Sequence, residues 1–356
     1  MKVIVTKYLN VRVGKASVNA PCYQYLAPGS ELEVDGNLYK GDIYEDNDVW
    51  LKDKAGNYYW SGGVEKFSKS SAKLSNSYPG WMLNLNIPEI WKISTGKNVG
   101  VAVIDTGIDM LNDQLTYNKK SYYVFDKNVT LQDTNGHGTH CAGLIGARNQ
   151  QGRLIGVAPD CNLFVCKISE RNRLNTSELS RYAEAINWCA EQDNIHVISV
   201  SYGSFIRDKN ILLQLQLAVN NAVSKGKVLV CAVGNASKFN DSSSLYPASL
   251  KNTIGIGSIP VEGLLYPYMN KNLTAIIDGI NIPSYDVDGQ VIEKSGTSQS
   301  NAIVAGIVAL IIEKKKWKYD PDEIKKIIMG VSSFRNYIEV NFSEINKDLL
   351  LDYFKL

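Results

Sequence analysis

The sequence predicts an α/β protein in which a parallel sheet is flanked by helices and preceded by a small all-β domain. Two observations carry that expectation. From about residue 81 onward, apolar runs of strand length alternate with helical patterns, as βαβ units require. Residues 1–65 instead hold short β-prone runs between turn-formers, with no helical period.

In the first region the runs are Lys2–Tyr8, Glu31–Val34, Val49–Lys52 and Tyr58–Trp60. Pro28-Gly29, Asp35-Gly36 and Ala55-Gly56 break them, which reads as a barrel or sandwich. Residues 66–80 are polar and serine-rich and read as a linker. The α/β domain is expected over 81–335. Its strands are Asn98–Ile104, Asn162–Ile168, His196–Ser201, Lys227–Val233 and Thr253–Ile259, each nearly all apolar, as strands covered on both faces are. Helical patterns lie at His137–Ala147, Glu178–Gln192 and Ile211–Lys225, and Pro321 opens an amphipathic stretch over Asp322–Met329. To residues 336–356 the sequence assigns no role.

Bulk composition narrows the function. With 356 residues, 44% hydrophobic and 21% charged, the chain has material for two globular domains. Its 38 basic and 36 acidic side chains leave a net charge of +2, so no broad field exists to hold nucleic acid or an acidic membrane. The longest apolar run, Ala302–Ile312, is about half of what a membrane span needs. Lys7, Asn10 and Arg12 interrupt the N-terminal apolar stretch before signal-peptide length, so a cytoplasmic location is expected. The six cysteines lack paired CxxC spacing and read as buried thiols.

Four segments carry chemistry. Val103-Ile104-Asp105-Thr106-Gly107 ends an apolar strand in a carboxylate, at the sheet edge where open α/β folds bind ligands. On its own this could be an aspartate starting a turn. Asn135-Gly136-His137-Gly138-Thr139-His140 opens a helix with a histidine between glycines, which lets backbone and substrate approach the imidazole. A zinc helix would place two histidines at i and i+4 around a glutamate, a pattern absent here, so no metal is expected and His140 reads as a core residue. Ser298, in Ser295-Gly296-Thr297-Ser298-Gln299, opens a helix of small residues, and a serine there is ordinarily a cap. Cys231-Ala232-Val233-Gly234-Asn235 ends a strand in an asparagine amide.

The order Asp, His, Asn, Ser, in the segments VIDTGID, NGHGTHCAG, VGN and SGTSQSNAIVAG, resembles the subtilisin-like (subtilase) serine peptidases. The resemblance covers roughly residues 81–330. It implies that Ser298 attacks the scissile carbonyl, His137 moves the proton and Asp105 orients the imidazole. It also implies an oxyanion hole built from Asn235 and the Ser298 N–H, an interaction worth about 3 kcal/mol in a figure that comes from subtilisin itself. Ser201, Tyr202 and Gly203 match the family's substrate-pairing strand edge, with Val233 and Gly234 on the facing wall and Leu245 narrowing the first pocket. No cofactor is implied. The region containing Leu9-Asn10-Val11-Arg12, Pro28-Gly29, Trp50 and Trp60 resembles a bacterial SH3-like domain, a module that binds peptides or cell-wall material or packs on an attached enzyme.

The chain departs from the family in three ways. After the serine, the usual Met-Ala-Ser/Thr-Pro-His is Gln299-Ser300-Asn301-Ala302-Ile303. A buried Gln299 needs hydrogen-bond partners. Gln114 stands where a family calcium aspartate often lies, so that calcium site is not expected. An SH3-like pattern also stands where secreted relatives carry an inhibitory pro-domain. The sequence leaves three readings open: an active peptidase of selective processing type, a non-catalytic scaffold on the same fold, and an esterase with the same triad.

Overall fold

The computed structural model describes residues 2–35, 37, 39–44, 47–66, 78–148, 155–171, 174–236, 241–261, 266–268, 272–337 and 340–356. Most of the expected linker, residues 67–77, lies outside the described residues. The chain forms two compact units, residues 1–84 and 85–356.

The first unit is antiparallel β structure. Its strands are β1 (Lys2–Val5), β2 (Leu9–Val13), β3 (Cys22–Leu26), β4 (Glu31–Glu33), β5 (Tyr39–Tyr44), β6 (Asn47–Lys52), β7 (Asn57–Trp60) and β8 (Val64–Lys66). They pair as β4-β1-β8 and β3-β2-β7-β6-β5. Of these, β2, β3, β5 and β8 are absent from the sequence reading. The pairing of β5 with β6 shifts register between Lys40 and Tyr44, where Gly41 and Asp42 disfavour a strand. Val3, Val5, Val11, Leu32, Trp50 and Trp60 are buried in the core. Both indoles also find polar partners, Trp50 Nε1 donating to Asp42 O at 2.9 Å and Trp60 Nε1 to Asn47 O at 3.0 Å. The short helix α1 (Gly80–Asn84) ends this unit.

The second unit opens with α2 (Ile87–Ile90), then β9 (Gly100–Asp105), β10 (Tyr123–Val124), α3 (His137–Gly146), β11 (Asn162–Lys167), α4 (Ser180–Ala190) and β12 (Val197–Val200). It continues with α5 (Lys209–Ser224), β13 (Val228–Ala232), β14 (Asn235–Ala236), β15 (Ile254–Ser258), β16 (Tyr266–Pro267) and β17 (Leu273–Ile277). The hairpin β18 (Ile282–Tyr285) and β19 (Val291–Lys294) leads into α6 (Thr297–Lys314), followed by α7 (Pro321–Gly330), β20 (Ser332–Tyr337), β21 (Val340–Ile345) and α8 (Lys347–Lys355). The main sheet runs β10-β11-β9-β12-β13-β15-β17-β21-β20. Neighbours are parallel from β10 to β21, and only β20 is antiparallel to its partner.

Parallel pairing puts every carboxyl end on one sheet edge. The spatial neighbours β9, β12 and β13 therefore deliver Asp105, Ser201 and Gly234-Asn235 side by side. Helix α6 is buried from Gln299 through Ile312, which explains a sequence that from Ala302 to Ile312 is apolar with no polar face. The last residues, 336–356, contribute β21 to the sheet and the helix α8, anchored by buried Leu350 and Phe354. Among the described residues no helix is long and apolar enough to cross a membrane. Five of the six cysteines are buried free thiols, Cys22 being half-buried.

Candidate active site

Asp105 ends β9 with no exposed surface. Its Oδ1 accepts the Thr106 N–H at 2.8 Å and faces His137 Nδ1 at 2.7 Å. That contact fixes the tautomer: Nδ1 carries the proton, and Nε2 is left as the free base. Burial pulls the His137 pKa down, but the Asp105 carboxylate more than offsets it, leaving a net rise above the ordinary histidine value.

His137 is the first residue of α3, and the turn around it is tightly tied. Gly138 N donates to Thr106 Oγ1 at 2.9 Å. A Cβ at Gly138 would meet the carbonyl of Gly107, so only glycine lets α3 approach the end of β9 this closely. Asp133 accepts the Thr139 N–H and hydroxyl at 2.9 and 2.7 Å and the Asn135 N–H at 2.9 Å. Burial opposes its ionisation, yet these donors hold its carboxyl below the usual range.

Ser298 stands in the first turn of α6. Its Oγ donates to Ser201 O at 2.9 Å, while Ser201 Oγ donates back to Ser298 O at 3.0 Å. Beneath them Asn301, fully buried, donates from Nδ2 to Ser199 Oγ at 3.1 Å and to Ser201 Oγ at 3.0 Å. Across the cleft, Asn235 Oδ1 accepts the Thr297 N–H at 2.9 Å. With the oxygen committed, the Nδ2 of this exposed amide is the end left to donate. Gly234 N donates to Thr297 Oγ1 at 3.1 Å, locking the two walls together.

His137, Ser298, Asn235, Ser201, Tyr202, Gly203 and Gly234 all line one cleft of about 500 Å³. Asp105 lies behind the imidazole. Val233 departs from the expected wall: its side chain is fully buried in the core and its N–H donates to Ile256 O. Strand alternation explains the difference, since the residue beside an inward Gly234 points the other way. Leu245 does enter the cleft. A Cβ at either Gly203 or Gly234 would come within 2.5 Å of Leu245 Cδ2, so this side chain fills the space that the two facing glycines leave.

The sequence reading missed several neighbours. Thr297 bridges both walls, Asp133 anchors α3, and the rings of Phe205 and Tyr268 meet edge to face at 5.7 Å on the cleft wall. Asp133 stood in plain view two residues before the glycine-flanked motif; Phe205 and Tyr268 sit in loops without a local signal. Gln299 finds its partner in His140, whose Nδ1 lies 3.5 Å from Nε2 while the other ring nitrogen faces Ile292 O at 3.2 Å. Burial first, and then the Lys294 charge, lower the His140 pKa to about 3, so it is neutral.

Asp105, His137 and Cys141 bring potential metal-ligating atoms within 4.8 Å of one another. Asp105 Oδ1 and His137 Nδ1 are already taken up by each other, although Asp105 Oδ2 has no partner, and burial holds the Cys141 thiol protonated, so the set offers poor ligation. Gln114 is buried with its Nε2 donating to Asp113 Oδ1 at 2.8 Å.

Known proteins share this architecture. The chain is 32% identical over 250 residues to the major intracellular serine protease of Bacillus subtilis, covering 66% of this chain and 75% of that protein. It is likewise 32% identical over 223 residues to subtilisin NAT of Bacillus subtilis subsp. natto, where it spans 57% of the relative's length. Among solved structures, MycP1 from Mycobacterium smegmatis superimposes with a TM-score of 0.64 at 23% identity, over 80% of this chain and 86% of that one. Fold and relatives together define a subtilisin-like serine endopeptidase. The chain belongs to the subtilase family, whose model matches residues 96–343.

Proposed function

We propose that Ser298, His137 and Asp105 form the catalytic triad of a selective processing endopeptidase. The observation that carries the reading is the 2.7 Å contact between Asp105 Oδ1 and His137 Nδ1, which leaves Nε2 as base on the same cleft as Ser298. Ser298 Oγ attacks the scissile carbonyl as its proton passes to His137; the imidazolium, stabilised by Asp105, returns it to the leaving amine. Asn235 Nδ2 and the Ser298 N–H receive the oxyanion. An extended substrate adds as a strand along Ser201–Gly203.

Selectivity is supported by Leu245, which shortens the first pocket so that small side chains fit and large ones collide. Leu245→Gly should therefore admit aromatic residues before the cleaved bond in a peptide-library assay; an unchanged profile sinks the narrowing. The first unit supports an SH3-like assignment over 1–65 through its antiparallel strands and paired buried tryptophans, with a peptide or cell-wall polymer as ligand. The intracellular relative supports a cytoplasmic location.

The direct test is labelling of the purified chain with a fluorophosphonate. Labelling at Ser298 that disappears in Ser298→Ala and His137→Ala is expected. A folded wild type that takes no label would overturn the triad.

A further inference from the structure

The hairpin β18–β19 runs from the base to the nucleophile. Its last residue, Lys294, precedes Ser298 by four positions in the chain. Lys294 Nζ donates at 3.0 Å to the carbonyl of Gly136, the residue before His137. The same carbonyl accepts the N–H of His140 at 3.1 Å, the first bond of α3. Asp286, between the two strands of the hairpin, lies 3.7 Å from that ammonium. It also occupies the space a Cβ at Gly136 would need, where φ is already +86°.

Three more bonds fasten the hairpin near this turn. His140 Nε2 meets Ile292 O at 3.2 Å, Ser284 Oγ donates to His140 O at 2.8 Å, and Gly289 N donates to Asp109 Oδ2 at 3.1 Å. All are made by the polypeptide segment that leads directly into α6. The start of the base's helix is thus tied to the chain immediately before the nucleophile, and Lys294 makes the tie nearest to both.

We infer that Lys294 is a positioning residue of this peptidase, fixing the imidazole of His137 against Ser298 through the Gly136 carbonyl and holding a positive charge at the turn that carries it. The titratable groups facing His137 include the carboxylates of Asp105 and Asp133 and the ammonium of Lys294, with the Asp286 carboxylate 3.7 Å from that ammonium and neutral Tyr202, Cys141 and His140 alongside. Burial opposes the imidazolium, Asp105 and Asp133 favour it, and the Lys294 charge acts in the same direction as burial. Lys294 is only 24% exposed, so solvent screens its charge incompletely. The inference rests on His137 being the base.

The test compares full-length wild type, Lys294→Met, Lys294→Gln and Lys294→Arg. The His137 imidazole is titrated by NMR, its resonance identified with His137→Ala, and kcat and KM are measured on one peptide across pH. Lys294→Met should move the His137 midpoint to higher pH and lower the plateau kcat by roughly 3–10-fold with KM nearly unchanged. Lys294→Arg should restore both. Lys294→Gln, which keeps a donor without the charge, should shift the midpoint while retaining most of kcat, and it carries the test alone if Lys294→Met does not fold. An unmoved midpoint in Lys294→Gln overturns the inference, as does a wild-type kcat in a folded Lys294→Met. A wild type unlabelled by fluorophosphonate would remove the base assignment itself, whereas a labelled wild type with an unmoved midpoint removes only the role of Lys294.

Discussion

Helices α3 and α6 both begin behind a glycine, Gly136 and Gly296, that offers no side-chain cap. Each therefore borrows partners for its first turn from elsewhere. Around α3 these include charges: the Asp133 carboxylate on Thr139, the Lys294 ammonium on the Gly136 carbonyl, and Asp105 against His137 itself. Around α6 they are neutral: the Asn235 amide oxygen on Thr297 N and the Ser201 hydroxyl on the Ser298 carbonyl. The contrast matches what each helix presents. A base needs its proton affinity set, which fixed charges do at short range. A nucleophile beside an oxyanion site needs donors and acceptors at fixed positions, which uncharged groups supply without altering any titration.

The largest effect should come from breaking the ionic side. Asp105→Asn leaves the packing nearly intact but loses the charge and the tautomer, and kcat should fall by about 10⁴. Steady-state kinetics showing a loss of tenfold or less would mean the charge is not what α3 needs. On the neutral side, Asn235→Ala should lower kcat by about 10²–10³ with little change in KM. Its pH profile should keep the wild-type acidic limb; a displaced limb would blur the distinction between the helices.

The acidic limb itself is the next test. As the proposed base, His137 would have to be neutral, and Asp105 raises its pKa above the ordinary value, so kcat/KM should fall with decreasing pH at a midpoint above that of free histidine. A midpoint at or below the ordinary value would contradict the charged setting of α3. A smaller effect is expected from Asn301→Ala, about 3–10-fold in kcat, because Ser201 loses one of the groups that orient it. The smallest is thermodynamic. His140 has a folded pKa depressed to about 3 from an ordinary 6.5, so its contribution to stability is full above 6.5 and is lost as pH falls through about 3. Urea unfolding of His140→Gln should therefore weaken less steeply over that range than wild type; identical slopes would count against a buried neutral histidine.

The same contrast shows what a sequence discloses. The meeting of Asp105, His137, Asn235 and Ser298 was legible because each stands in a short motif rich in glycine or small residues, in one family order. The five nearly all-apolar strands and the apolar body of helix α6 were legible because burial on all sides leaves no polar period. Strands β20 and β21 were not, since their mixed SSFRNY and VNFSEI sequences do not show which face is covered. Nor was the turn of Val233 away from the cleft into the core, which depends on where β13 ends. Lys294 was hidden for another reason: its partner Gly136 lies 158 residues away, and nothing local to either predicts the meeting.

The buried thiols carry one more consequence. Cys141 sits on α3, Cys166 on β11, Cys189 on α4 and Cys231 on β13, with Cys161 just before β11, while half-buried Cys22 belongs to the other unit. Burial raises the pKa of Cys141, Cys166 and Cys231 well above a free thiol's and that of Cys161 to about 12, so these react only when their element opens. The chain thus contains its own unfolding clock. Pulses of an alkylating reagent, read by mass spectrometry, would time the loosening of each layer without any added label, with Cys22 expected to be modified first.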